Sequence, residues 1–412
     1  MSMSEWKEVI ASVFCTEVTD GTHDSPKPVS VGKYLLTSKH LQEYSLDFAN
    51  AYMISEEDYN KVILRSKVEQ YDILFSMIGT IGTTHRVKIS NVDFAVKNMG
   101  IFKLGGNCIK SKWLYYWLKT RESKEYINSC LSGTTQGYMT LKALRNFPIA
   151  VPDSLTMESI TSILSSFDDK IAVNKKICEN LEAQAQALFK HWFVDFAPFK
   201  DGKFVESELG LIPEGWRVVS LDEMTSKFGT GLNPRQNFKL GEGDNYYVTI
   251  KNMGNNRVYL DDRCDKVTDE AIEKINKRSK LQKGDLLFSG IGTIGRVAMI
   301  TETPTNWNTS ESVFNMHPAE GYSTEFLYVL LLSDAFQQYV KIHAQGGVQQ
   351  GIRMASLKQY LMPVPDHNTL KTFDDIIVPI ISQIREKDKE NDYLATLRDT
   401  LLPKLMSGQI KV

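Results

Sequence analysis

Thr80 stands between Gly79 and Gly82, and Thr293 stands between Gly292 and Gly295. Thr134, Thr135 and Gln136 follow Gly133, and Gln349 comes shortly after Gly346. Hydroxyl and carboxamide groups can bond phosphate oxygens or base edges. Glutamine can make the bidentate contact to adenine, as arginine does to guanine. Neighbouring glycines let backbone N–H groups approach a phosphate. The same residue types also close hairpins in proteins that bind nothing, so on their own they leave both readings open.

Covalent chemistry has weaker support. No G-x-x-x-x-G-K-[ST] is present, and neither glycine pair reads G-x-G-x-x-G. Asn233-Pro234-Arg235-Gln236 lacks the second proline and the stacking aromatic of an amino-methyltransferase motif, and no glycine-rich cofactor motif accompanies it. Asp20, His23 and Asp24 could ligate a metal, but a polar loop is the plainer reading. Asp72 and Asp285 precede apolar strands, where an aspartate ordinarily accepts from turn amides.

These residues recur because the chain is written twice. Asp72-Ile73-Leu74-Phe75-Ser76 returns as Asp285-Leu286-Leu287-Phe288-Ser289, an offset of 285 − 72 = 213. The same offset carries Gly133 to Gly346, Gln136 to Gln349, Leu144 to Leu357 and Val151-Pro152-Asp153 to Val364-Pro365-Asp366. Two copies are too few to stack as a solenoid. They suggest a pseudo-two-fold molecule offering two similar surfaces to something long or itself symmetric.

The elements that must position these groups are mixed. Ile73–Phe75 and Ile78–Ile81 read as strands meeting around glycines, and 112–124 as one helix with core aromatics Trp113, Tyr116 and Trp117. A short helix through Leu141 and Leu144 precedes a closing strand at 147–151. From about Thr156 the texture changes. Phe167, Ile171, Asn174, Cys178, Leu181, Ala185, Leu188 and Trp192 recur in alternating four- and three-residue steps, the seam of a coiled coil. The tail repeats this with Ile377, Ile380, Ile384, Asn391, Leu394, Leu401 and Leu405, where Pro379 and Pro403 predict kinked or frayed ends. The expected fold is α+β. Two similar mixed α/β domains, 1–153 and 198–366, alternate with spacer helices at 154–197 and 367–412 that pair antiparallel within the chain.

Bulk properties set limits. A chain of 412 residues supports two or three domains, and no apolar run is long enough to span a bilayer. The N-terminus shows no secretory pattern. Five scattered cysteines without a C-x-x-C pair read as reduced thiols of a cytoplasmic protein, and a structural zinc site is not expected. Net charge −2 gives no global nucleic-acid signature. A local basic patch of Lys274, Lys277, Arg278, Lys280 and Lys283 could equally be a solvated helix face.

Several motifs together are more specific. Asp20-Gly21-Thr22-His23-Asp24-Ser25-Pro26, the two Leu-Phe-Ser…Ile-Gly-Thr-Ile-Gly runs, the paired Gly-x-x-Gln, and Leu209-Gly210-Leu211-Ile212-Pro213 with Trp216 carry a resemblance. So do the helix ends, 188–196 and 401–408. Together they resemble the DNA-specificity subunits of type I restriction-modification systems, over essentially the whole chain. The first copy lacks the Leu-Gly-x-Ile-Pro lead-in, and the second has no Asp-Gly-Thr-His.

The resemblance implies two target-recognition domains, each reading half of a split site in double-stranded DNA. The helix pair would set the unread spacer and dock two methylation subunits. It implies no catalysis, metal or cofactor in this chain: S-adenosylmethionine belongs to the methylation partner, and ATP and magnesium to restriction subunits. A related type II specificity chain, cutting both sides of its site, is the alternative. An enzyme in its own right and a coiled-coil scaffold are more distant ones.

Expected base readers lie in the divergent loops, with Lys27, Lys33, Lys39 and His40 in copy one and Arg235, Lys239, Lys251 and Arg257 in copy two. Thr80, Thr134, Thr135, Gln136, Thr293 and Gln349 suit backbone positioning, since shared residues cannot encode two half-sites. Arg353 joins the DNA-contacting set. Phe167, Ile171, Cys178, Leu181, Leu188, Trp192, Ile380, Ile384, Leu394, Leu401 and Leu405 form the expected helix contacts.

Overall fold

The computed structural model describes residues 6–42, 45–131, 137–346 and 350–412, and the apolar run at the heart of the repeat is a strand in both copies. The chain divides into two compact units. One comprises the residues up to Lys175 together with Asp388–Val412, the other Lys176–Lys387.

In the first unit, Ile73–Ser76 is fully buried and sits inside an antiparallel sheet ordered Glu17–Asp20, Met99–Lys103, Ile73–Ser76, Thr84–Arg86. A run buried on both faces reads as continuous apolar sequence rather than alternation. A three-stranded sheet of Tyr52–Ile54, Lys33–Leu36 and Phe94–Val96 lies beside it in the chain path, its last two strands parallel. Helix Glu56–Ser66 is capped by the Ser55 hydroxyl, which accepts from Asp58 N–H, and buries Val62 with Leu35, Ile54 and Ala95.

The second unit repeats this order. Thr225–Thr230, Val313–Pro318, Leu286–Ser289 and Val297–Met299 form the four-stranded sheet, and Asp265–Val267, Asn245–Val248 and Trp307–Thr309 the three-stranded one. Helix Asp269–Ser279 corresponds to Glu56–Ser66. It buries Ile272 and Ile275 and exposes Lys274, Lys277 and Arg278.

Three sequence expectations change. The single helix over 112–124 is two, Cys108–Trp117 and Arg121–Ser129, because Thr120 is extended and its hydroxyl caps the second helix at Ser123 N–H. Ile78–Ile81 is a turn rather than a strand, with Gly79 at φ 77° and Gly82 at φ 89°. The helix His367–Met406 runs unbroken through Pro379 and Pro403. Both prolines are exposed, so the carbonyls they leave unbonded can be hydrated.

The repeated Val-Pro-Asp explains where both long helices start. Val151 and Val364 end strands, and proline disfavours helix in the residue before it. Asp153 Oδ1 then accepts from Leu155 and Thr156 N–H, and Asp366 Oδ1 accepts from Asn368 and Thr369 N–H. With the Thr369 and Thr156 hydroxyls donating to the other carboxylate oxygens, these bonds hold both carboxyls below the usual carboxylate range. The helices that follow, Ser154–Phe193 and His367–Met406, are 40 residues each.

The two helices touch within each unit, and their contacts run antiparallel. In the first, Asn174 donates to Asn391 across 3.0 Å and Arg398 bonds Asp168 across 2.6 Å, both buried. In the second, Cys178 contacts the Ile384 carbonyl and Phe193 packs edge-on against Phe373 at 4.8 Å. The expected contact residues Ile171, Cys178, Ile384 and Leu405 are buried, while Phe167, Leu181, Leu188, Trp192, Ile380, Leu394 and Leu401 are half-buried.

Candidate nucleic-acid interface

The two aspartates before the repeated strands are structural. Asp72 Oδ2 accepts from Glu69 N–H and its Oδ1 from Leu104 N–H, with Lys103 Nζ 3.3 Å away. Burial pushes its carboxyl up, against the pull of Lys103. Asp285 is fully buried and accepts from Gln282 N–H, with Lys227 Nζ at 3.0 Å and His317 Nδ1 at 2.8 Å. Each closes the turn that feeds its strand.

The glycine turns meet the segments that follow the polar glycine loops. Met139 N–H donates to Met77 O beside the Ile78–Tyr138 bridge, and Gly292 N–H donates to Gln350 O beside the Ile291–Gly351 bridge. Thr80 and Thr293 are exposed at these turns. Thr134, Thr135, Gln136 and Gln349 lie outside the described residues. At Gly295, φ is 93° and an added Cβ would meet the carboxamide of Gln337, which itself donates to Gly295 O.

Among the expected base readers, Lys27, Lys39, Arg235, Lys239 and Lys251 are exposed, as is Arg353 of the wider DNA-contacting set. Lys33 lies 3.6 Å from Asp93, and Arg257 stacks over Tyr259 at 4.8 Å. His40 is a correction. It is buried, its Nδ1 takes Thr37 N–H and its Nε2 bonds Asn50 O, so both ring nitrogens serve the fold. Thr249 and Asn252 make the same capping box. The repeat therefore continues through loops that look unrelated in sequence, at 249 − 37 = 212, and it matches Lys39 with Lys251.

A second matched place escaped sequence reading. Asp20 ends a strand and Gly21 follows; Thr230 ends the corresponding strand and Gly231 follows. A Cβ on Gly21 would collide with the Val96 carbonyl, and one on Gly231 with the Thr309 carbonyl. Val96 and Thr309 are themselves 309 − 96 = 213 apart. The glycine is thus the structural counterpart of the Asp-Gly-Thr-His motif in a copy that lacks its sequence.

Different polar groups surround these glycines. In the first unit, buried Asp20 holds Arg65 at 2.5 Å and His23 Nε2 at 3.0 Å, and His23 Nδ1 faces Asn98 Oδ1 at 2.9 Å. Asp20 is thus paired with the Arg65 guanidinium, and Asp24 N–H donates to Thr22 Oγ1. In the second unit, Asn233 Nδ2 donates to Glu311 Oε1 at 2.8 Å, and Tyr247 bonds both Leu232 O and Glu311 Oε2. Cations border both places, with Lys97 on Ser25 in one and Lys274 on Asn237 O in the other. No group of three His, Cys, Asp or Glu suited to a metal occurs among the described residues.

Two glycine-anchored polar clusters on one repeated scaffold suit recognition of something with two different halves. Comparison with known proteins gives the family. The family model for the type I restriction modification DNA specificity domain matches residues 29–183 and 213–394. The chain belongs to this family. It is 25% identical over 374 residues to the MjaIX type I restriction enzyme specificity subunit of Methanocaldococcus jannaschii, covering 89% of this chain and 85% of that one. It is 24% identical over 412 residues to the HindI specificity subunit of Haemophilus influenzae, covering 84% and 88%. The crystal structure of a type I S subunit from M. genitalium shares the fold with TM-score 0.52 at 15% identity, covering 97% of this chain and 96% of that one.

A type I specificity subunit recognises DNA and leaves catalysis to others. No described helix is long and apolar enough to cross a membrane, and none of the five cysteines is in a disulfide.

Proposed function

We propose that this chain reads a split DNA sequence for a type I restriction-modification complex, with 1–153 and 198–366 as its two target-recognition domains. Each domain reads one half-site in a pseudo-two-fold arrangement, and the antiparallel helix pair sets the spacer between them. The observation that carries this reading is one strand order and one set of turns occurring in both units with different polar groups at matched places. A shared scaffold gives both halves the same approach to the duplex, and the differing groups allow different base edges to be read.

The same reading gives the partners their parts. Two methylation subunits dock on the helices and supply S-adenosylmethionine; restriction subunits supply ATP- and magnesium-dependent cleavage; the complex works in the cytoplasm. Contacts shared with those partners would account for a net charge of only −2 on a DNA-reading chain. Phosphate positioning falls to Thr80 and Thr293, and to Thr134, Thr135, Gln136 and Gln349.

The test is a map of N6-methyladenine in cells expressing the cognate methylation subunit with and without this chain. The expected result is one split motif that depends on the chain. Verified co-assembly with no chain-dependent motif would sink the proposal.

A further inference from the structure

The clusters at Gly21 and Gly231 place unlike polar groups at matched positions of the two units. We infer that Arg65, oriented by Asp20 and His23, reads a guanine edge in one half-site, and that Asn233 and Glu311 read an amino-bearing base in the other. This rests on the DNA-reading role proposed above.

The geometry of the first cluster is that of a braced arginine. The Asp20 side chain is only 6% exposed, whereas that of Arg65 is 61% exposed. One carboxylate oxygen fixes the guanidinium and the other takes the His23 ring. A guanidinium held at one end keeps the remaining donors of its fork for the O6 and N7 acceptors of guanine, the pairing that planar, always-charged arginine makes best. Fixing the side chain beforehand also removes entropy that would otherwise be lost on binding.

The second cluster keeps the cation and changes its surroundings. Arg65 recurs as Arg278, at 278 − 65 = 213, and both are the last residue but one of their helices. Asp20, however, becomes Thr230, whose hydroxyl donates to Glu311 O. The pair His23–Asn98 becomes Asn233–Glu311 at the same junction between the two sheets. A carboxamide and a carboxylate suit the N6 amino group of adenine or the N4 amino group of cytosine. A shared arginine cannot by itself encode two different sequences; the unlike groups that brace it in one copy and not in the other can.

The test uses the full chain in complex with its methylation subunits, selecting duplexes from a pool randomised at both half-sites. Arg65→Ala should lower discrimination for guanine roughly tenfold or more at one position of one half-site, and leave the other half-site unchanged. Glu311→Gln should shift preference only in the other half-site. Arg65→Lys keeps the charge without the fork and should also lose guanine discrimination. The untouched half-site in each selection reports that the variant is folded and assembled. The assignment is overturned if Arg65→Lys restores wild-type selection, or if affinity falls equally for all sequences, since either result puts these residues on phosphates. It is also overturned if one substitution alters both half-sites. A wild-type complex that selects no split sequence at all would remove the specificity-subunit reading itself, independently of these residues.

Discussion

At the scale of single residues, two kinds of glycine separate cleanly. Gly79 has φ 77° and open space where a Cβ would go, whereas a Cβ on Gly231 would overlap the backbone carbonyl of Thr309. Gly79→Ala should therefore lose only the left-handed penalty, about 1–2 kcal/mol. Gly231→Ala forces two strand ends apart and should lose about 3 kcal/mol, with misfolding of the second unit at moderate temperature. Thermal unfolding of both variants ranks them, and equal losses would refute the close approach. His85 gives a pH signature. Burial pushes its ring down to about 4 from an ordinary 6.5. Below about pH 6.5 the unfolded chain takes up a proton that the folded chain refuses until about pH 4. Stability from this site is present above pH 6.5 and is lost as pH falls through that window. His85→Gln should flatten the pH dependence of unfolding between pH 6.5 and 4, by an amount on the order of 1 kcal/mol. None of this was legible from residue types. A glycine required by a distant carbonyl, or a histidine filled in by neighbours, looks like any other until the chain is folded.

At the scale of elements, the helix seam was legible and its drift was not. A strict alternation of three and four residues suits a supercoiled pair, and it places Ile171, Asn174 and Cys178 correctly inside. From Ala185 the burial advances by fours, through Phe189 and Phe193, because that stretch packs into the core of the second unit. A helix of 3.6 residues per turn slides off a 3.5-residue seam when a globular surface, rather than a second helix, is its main neighbour. The break between Cys108–Trp117 and Arg121–Ser129 was missed for a similar reason, since continuous aromatic burial hides the Thr120 cap. The polar part of the seam supports a quantitative prediction. Arg398 and Asp168 are both nearly inaccessible, and Tyr116 donates its hydroxyl to the same carboxylate at 2.7 Å. Arg398→Met leaves that carboxylate buried without its cation and should lose about 3–5 kcal/mol. Adding Asp168→Leu should recover most of the loss, leaving about 1 kcal/mol for the Tyr116 bond. A double-mutant cycle in thermal unfolding measures this, and purely additive losses would mean that the two groups do not act as a pair.

At the scale of the whole chain, the decisive information is the repetition, and it reaches further than the sequence offset displays. The capping boxes at Thr37 and Thr249 keep register across loops with little identity, which matches exposed Lys39 with exposed Lys251. A cation retained in both copies cannot distinguish two half-sites, but it can grip the phosphate that flanks each of them. If that is its work, Lys39→Ala and Lys251→Ala will each weaken binding of the assembled complex to all sequences alike. Each should also reduce the slope of log affinity against log salt by about one, and the pair by about two. The methylated motif should stay the same in all three variants. Binding isotherms over a salt series, with a methylation map of the same variants, check both parts. A changed motif would make the lysines base readers, and an unchanged slope would place them away from the duplex. Arg65 recurs too, as Arg278, but Asp20 and His23 brace it where Thr230 and Asn233 stand in the second copy. Arg65→Ala should therefore change sequence preference, where the lysines, exposed in both copies, change only affinity.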